Sequence, residues 1–264
     1  MYRFDYQAPD SVEAVLAALR ENDEAKIVAG GMTLLPTMKL RLARPDVLID
    51  INRIGSLAGI GENDGAIVIG AMTRHADVAA SKLVRNRIPG LADLAEAIGD
   101  PQVRNRGTIG GSVANNDPAA DYPAGLVGLG ATVITDRREI AADDFFTDMF
   151  ETALEEDEII TAVRFPIPKR AAYMKFPNPA TRYAIVGVMV AEAPDGIRVA
   201  VTGAAPCVFR VAAMEDALGK DFTPDAIASI AVDGAEFNED IHASAEYRAH
   251  LVNVMARRAV TALG

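Results

Sequence analysis

The sequence predicts an α+β protein made of three successive units: a small α/β unit over residues 1–53, a larger α+β unit over 54–168, and a smaller α+β C-terminal unit over 169–264 with an antiparallel sheet and helices. Three observations point to this division. At 264 residues the chain exceeds the usual size of one compact core. Its apolar pattern changes at Ala66, where a short α/β alternation gives way to the strand-like run AIVIGAM. Pro166 and Pro168 then punctuate the chain before a β-rich segment whose two runs are joined by Pro194-Asp195-Gly196, a favourable hairpin turn.

Within the first unit, apolar residues at helical spacing predict a helix over Ser11 to Arg20, then a strand over Lys26 to Ala29 that runs into Gly30-Gly31. Thr33 stands where it can cap a helix over Leu34 to Leu42, which the Arg44-Pro45 step ends before a strand at Val47 to Ile51. In the second unit a helix opens near Thr73, another covers Leu91 to Ile98, and Gly107 to Pro123 reads as loop-rich. Strands are expected over Ala131 to Thr135 and Ile159 to Phe165. In the third, Tyr183 to Ala191 and Ile197 to Thr202 read as the hairpin strands, followed by two or three helices. Leu251, Val254 and Met255 share one face of the last, which marks a core stripe.

The net charge of −11 opposes a nucleic-acid or anionic-membrane surface, so any phosphate must be held by local devices. No run approaches the roughly 18 apolar residues of a membrane span, and MYRFDYQAPD lacks the layout of a secretory signal, which makes the cytoplasm the expected location. The single cysteine, Cys207, precludes a cysteine-only metal or iron–sulfur site within the chain and reads as a small buried apolar residue. His75, His242 and His250 form no paired ligand motif, so no metal is expected here.

Two glycine-rich segments stand out. In AGGMTLLPTMKLRLA, two glycines follow a strand and precede a helix, which gathers backbone N–H groups and a positive helix end at one point, with Lys39, Arg41 and Arg44 adding positive charge. In RNRGTIGGSVANNDPAAD, Gly107, Gly110 and Gly111 lie beside the hydroxyls of Thr108 and Ser112, the expected second set of donors. Taken singly, paired glycines also serve as plain turns. Together, in an acidic chain, they suit a diphosphate, and a dinucleotide is the economical ligand. No P-loop motif occurs, and Gly125, Gly128 and Gly130 lack the Rossmann spacing and suit helix packing.

The segment AGGMTLLPTMKLRLARPDVLIDI, together with GTIGGSVANNDPAADYPA, resembles the FAD-binding medium subunit of molybdenum hydroxylases, the carbon monoxide dehydrogenase and xanthine dehydrogenase family. The similarity continues through IGAMTRHADV, TALEEDEIITAVRFP, YMKFPNPATRYAIVGV and DIHASAEYRAHL, nearly the whole chain. It implies a PCMH-type module of two FAD-binding subdomains followed by the smaller C-terminal domain. It also implies that the flavin's pyrophosphate and ribityl chain lie between Ala29, Gly30, Gly31, Met32, Thr33, Leu34 and Leu35 on one side and Thr108, Ile109, Gly110, Gly111 and Ser112 on the other. Asn116, Asp117 and Asp121 match the polar stretch beside the flavin, and Lys175 and Tyr183 match positions that approach its ring. Thr33 replaces a common serine and keeps the hydroxyl. Arg182 stands where many relatives have aspartate, so that aspartate's contacts are not carried over. Read from the residues alone, Asp121 also suits a helix cap, Lys175 a solvated charge and Tyr183 a strand core.

The resemblance implies an oxidoreductase of three parts: a molybdopterin-binding large subunit that oxidises the substrate, a small subunit with [2Fe–2S] clusters, and this FAD subunit, which hands electrons to an external acceptor. No catalytic acid or nucleophile is then expected in this chain. Two alternatives are a self-sufficient FAD-dependent oxidoreductase acting on a small molecule and a nucleotide-binding scaffold without redox chemistry.

Overall fold

The computed structural model describes residues 1–264 and is α+β as expected. The N-terminal part holds β1 (Asp5–Gln7), helix α1 (Val12–Glu21), β2 (Ala25–Val28), α2 (Leu34–Lys39) and β3 (Val47–Asp50). The three strands form a parallel sheet in the order β1-β3-β2: α1 carries the chain from β1 past the central place to β2, and α2 returns it to β3 in the middle. Ser11 caps α1 by accepting from the Ala14 N–H at 3.2 Å, and Val15 and Ala18 turn its apolar face onto Ile49 and Ile51.

The next stretch contains β4 (Ile60–Asn63), β5 (Ala66–Gly70), α3 (His75–Ala80), α4 (Lys82–Arg87), α5 (Pro89–Glu96), α6 (Pro101–Arg104), α7 (Ile109–Asn115), α8 (Tyr122–Gly128), β6 (Thr132–Thr135), β7 (Glu139–Ala141), α9 (Ala142–Phe145), β8 (Phe146–Asp148), β9 (Glu151–Thr152) and β10 (Ile160–Pro166). Five of these strands make an antiparallel sheet, β4-β5-β10-β6-β7, and β8 with β9 forms a separate hairpin. After Pro168 come β11 (Arg170–Pro177), β12 (Ala184–Ala193), β13 (Gly196–Thr202), β14 (Phe209–Arg210), α10 (Ala212–Lys220) and α11 (Ala245–Leu263), the strands forming one antiparallel sheet in sequence order. Its β12–β13 turn pairs Ala193 with Gly196, as the Pro-Asp-Gly signal requires. Leu251 and Met255 of α11 pack on this sheet with Val188 and Val190. Met189, Ala191 and Ala200, on its opposite face, join the core of the second sheet, so the C-terminal part is welded to the middle of the chain.

Four local expectations differ from the structure. Helix α2 ends at Lys39, not Leu42: Arg41 turns left-handed (φ 62°) while the Leu42 N–H reaches back to the Thr37 carbonyl at 3.0 Å, a Schellman-type stop. Thr33 does not cap α2; it is itself helical and its side chain accepts no N–H there. The loop-rich stretch 107–123 contains α7, which propensity hides because Gly110 and Gly111 are poor helix formers. Tertiary bonds supply what they lack: the Ile109 N–H donates to the Thr73 carbonyl and the Gly110 N–H to the Ala71 carbonyl. Cys207 is half-buried, not buried, against the central core. Gly125 and Gly128 do serve packing, their missing side chains making room for Leu94 and Met189.

Candidate cofactor-binding site

A cleft of about 680 Å³, within the size range of ligand pockets, opens between the parallel sheet, α7 and the segment that enters β12. Its floor is a backbone contact between the two glycine segments. A Cβ on Gly30 would fall on the Arg106 carbonyl oxygen and within 2.7 Å of the Gly107 Cα, so this position admits no side chain. Gly31 is left-handed at φ 72°, a conformation that turns the chain into α2 and favours glycine. Asn52 fixes the loop by donating to the Ala29 carbonyl at 2.8 Å.

With the carbonyls so held, the N–H groups of Gly30, Gly31, Met32, Thr33 and Leu34 have no acceptor within the chain. Five consecutive free donors lie beside the start of α2, an array of the kind that suits an anion. The second segment behaves differently from expectation. All four N–H groups from Ile109 to Ser112 are spent internally, on Thr73, Ala71, the Thr108 hydroxyl and the Thr108 carbonyl. Thr108 is the N-cap of α7, accepting from Gly111 at 3.2 Å. This segment therefore contributes a smooth glycine surface and the Thr108 and Ser112 hydroxyls, while the first supplies the backbone dipoles.

Of the residues singled out in the sequence, Ala29, Gly30, Gly31, Met32, Thr33, Leu34, Thr108, Gly110, Gly111, Ser112, Asp117, Asp121 and Tyr183 line the cleft. Four do not. Leu35 packs beneath Gly31 and Ile109 lies in the central core. The Asn116 side chain points to the β8–β9 hairpin, donating to the Asp148 and Glu151 carbonyls. Lys175 is neither solvated nor in the cleft: its side chain is 6% exposed and its Nζ donates to Asp121 at 2.9 Å and to the Ala97 carbonyl at 3.0 Å. Asp121, at the N-terminal position of α8, caps nothing with its side chain; it accepts from the Tyr173 hydroxyl at 2.5 Å and from Lys175. Burial pushes the Asp121 carboxyl up, and Lys175 and Tyr173 oppose that rise.

Tyr183 sits just before β12, partly exposed, beside Asp117 and the Thr33 side chain; desolvation, then the Asp117 charge, push its hydroxyl up. Burial likewise raises Asp117, whose carboxylate accepts from the Ala119 N–H at 2.9 Å.

Sequence reasoning missed His75, Phe150 and Thr181, all of which line the cleft. His75 is 4% exposed, its ring lies tilted against Tyr122 with centroids 5.4 Å apart, and its Nδ1 has no partner in the chain. Burial, then the Arg104 charge, hold its imidazole down at about 4, well below the ordinary 6.5. The folded state thus keeps His75 neutral and binds its proton less readily than the unfolded chain. Stability from this group is complete above pH 6.5 and is lost as pH falls toward 4, by about 3 kcal/mol at roughly 1.4 kcal/mol per pH unit. Urea unfolding of wild type and His75→Gln across this range is expected to show a flatter acid limb in the variant.

These features describe a cleft of dinucleotide size built without a Rossmann motif, lined both by free backbone donors and by aromatic and acidic side chains. Comparison with known proteins gives the family. The model described as "FAD binding domain in molybdopterin dehydrogenase" matches residues 2–168, and that described as "CO dehydrogenase flavoprotein C-terminal domain" matches 171–263. The carbon monoxide dehydrogenase medium chain of Hydrogenophaga pseudoflava is 40% identical over 277 residues, covering 98% of this chain and 96% of the relative. The nicotine 6-hydroxylase medium subunit of Paenarthrobacter nicotinovorans is 36% identical over 273 residues, covering 98% and 96%. Among solved structures, quinoline 2-oxidoreductase from Pseudomonas putida 86 superposes with a TM-score of 0.92 at 29% identity, covering 99% of this chain and 96% of that one. The chain belongs to the family of FAD-binding medium subunits of molybdenum hydroxylases. No helix is long and apolar enough to cross a membrane.

Proposed function

We propose that this chain is the electron-exit subunit of a molybdenum-containing hydroxylase or dehydrogenase: it holds FAD, receives electrons from [2Fe–2S] clusters of a small subunit and passes them to an external acceptor, while a molybdopterin-binding large subunit oxidises the organic substrate. The observation that carries this reading is the row of five free N–H groups from Gly30 to Leu34 facing a cleft of dinucleotide size. These donors meet the diphosphate, which an acidic chain of net charge −11 does not attract by its overall field. Gly110 and Gly111 allow the ribityl chain to run close to α7, with Thr108 and Ser112 offering hydroxyls along it. Asp117, Asp121 and Tyr183 line the wall assigned to the ring. When bound, a flavin supplies the ability to accept electrons singly and release them in pairs. The chain's own residues orient it, and the buried Lys175, Tyr173 and Asp121 group fixes the wall behind it.

The reading is tested by rapid mixing of the assembled complex with substrate: flavin absorbance is expected to bleach after the iron–sulfur signal, and a complex that turns over with its flavin still oxidised contradicts it. Gly111→Val is expected to abolish FAD retention at a stability cost of about 1 kcal/mol, because the new Cβ would lie 3.0 Å from the Thr108 hydroxyl and its methyls would enter the cleft. Flavin content of the purified variant, with circular dichroism to verify folding, checks this. Cys207→Ala, by contrast, is expected to leave flavin content unchanged. Its thiol is raised by burial and lies outside the cleft, which makes it unreactive.

A further inference from the structure

A second cavity, of about 350 Å³, adjoins the cleft, and the two share a wall made of Asp117, Phe150, Thr181 and Tyr183. Phe150 occupies the tip of the β8–β9 hairpin at φ 57°, a left-handed conformation costly for an aromatic residue, and it is 55% exposed. Asn116 holds it there. Itself buried and left-handed at φ 41°, Asn116 donates through its amide at 2.7 Å to the carbonyls of both Asp148 and Glu151, on either side of the tip. Its own carbonyl accepts from the Phe150 N–H at 3.1 Å. Two strained residues therefore persist because three hydrogen bonds over-determine them, and what they fix in place is an aromatic ring at the edge of the cleft. A ring so exposed gains most by covering, or being covered by, a planar apolar ligand.

We propose that Phe150 is a cofactor-contacting residue, packing on the isoalloxazine as a second aromatic wall beside Tyr183, and that Asn116 is its positioning residue. This rests on the FAD reading of the cleft. Phe150 and Tyr183 belong to the same wall of the cleft, the wall to which the ring is assigned. It also gives Asn116 a role at the site although its side chain stays out of the cleft.

The test uses the full chain and FAD, measuring the dissociation constant and the emission of the bound flavin. F150A is expected to weaken binding about tenfold, as loss of an aromatic stacking contact does, and to raise flavin emission because a stacked quencher is gone. N116G keeps the left-handed backbone accessible while removing the clamp, and is expected to reproduce both changes more weakly. The double variant F150A/N116G should bind no more weakly than F150A, since Asn116 acts through Phe150. Emission is a readout that a merely structural role does not move. F150A with wild-type affinity and emission overturns the assignment of Phe150, and losses that add in full overturn that of Asn116. A folded wild-type chain that binds no FAD overturns the functional reading and this inference with it; a wild type that binds while F150A is unaffected overturns this inference alone.

Discussion

Lys175→Met is expected to destabilise the chain by about 3 to 5 kcal/mol, the cost of stranding a buried charge. Asp121 is 4% exposed and fully desolvated, and Lys175 is its one cationic partner, with Tyr173 the only other side-chain donor. Without Lys175 the carboxylate must either remain ionised in an apolar setting or take up a proton. Burial already raises it, and removing the cation raises it further. A carboxyl with a folded pKa above its unfolded value contributes stability that is complete below the unfolded pKa and lost as pH rises through the folded one. The variant should therefore suffer more at pH 8 than at pH 5. Urea unfolding at the two pH values checks this, and Asp121→Asn with Lys175→Met together should recover most of the loss, because a neutral amide no longer needs the cation.

Gly30→Ala is expected to cost about 2 to 3 kcal/mol through overpacking and to abolish FAD binding. The added methyl would meet the Arg106 carbonyl and the Gly107 Cα, which are backbone atoms and cannot rotate away. The two glycine segments must then separate. That displaces the five free N–H groups from α7 and widens the floor of the cleft. The contrast with Gly111 is informative: a side chain there meets the Thr108 hydroxyl and, at ordinary contact distance, the Ala29 side chain rather than backbone, so binding is lost while stability largely survives. Thermal melts and FAD titrations of both variants separate the two roles.

Much of this architecture was legible in the sequence where local signals were strong. The Pro-Asp-Gly turn fixed the β12–β13 pairing, the apolar stripe of α11 gave its buried face, and the strand-glycine-helix order of β2 and α2 gave the donor loop. Helix α7 was not legible because its stability is tertiary: bonds to Ala71 and Thr73 compensate for two glycines that propensity penalises. For the same reason the second segment reads as a loop of free donors although its amides are spent. Strand β11 carries an Arg start and a Pro end, weak strand signals, and gains its identity from eight residues of pairing with β12. Lys175 reads as a solvated charge until β11 turns it inward onto Asp121, whose side chain lies 54 positions earlier in the chain. Phe150 lies outside the segments that carry the resemblance, and His75, though within IGAMTRHADV, reads there only as an unpaired histidine; their relevance comes from where hairpin and helix place them around the cleft.

The proposed function requires that the cleft between the two glycine segments hold FAD. Titration of the purified, folded chain with FAD, followed by flavin absorbance and by calorimetry, tests it most directly. Saturable binding of one FAD per chain is expected, abolished in Gly111→Val while that variant retains its native circular dichroism. A folded wild-type chain that gives neither heat nor a spectral change on adding FAD, or a Gly111→Val variant that binds as tightly as wild type, would contradict it.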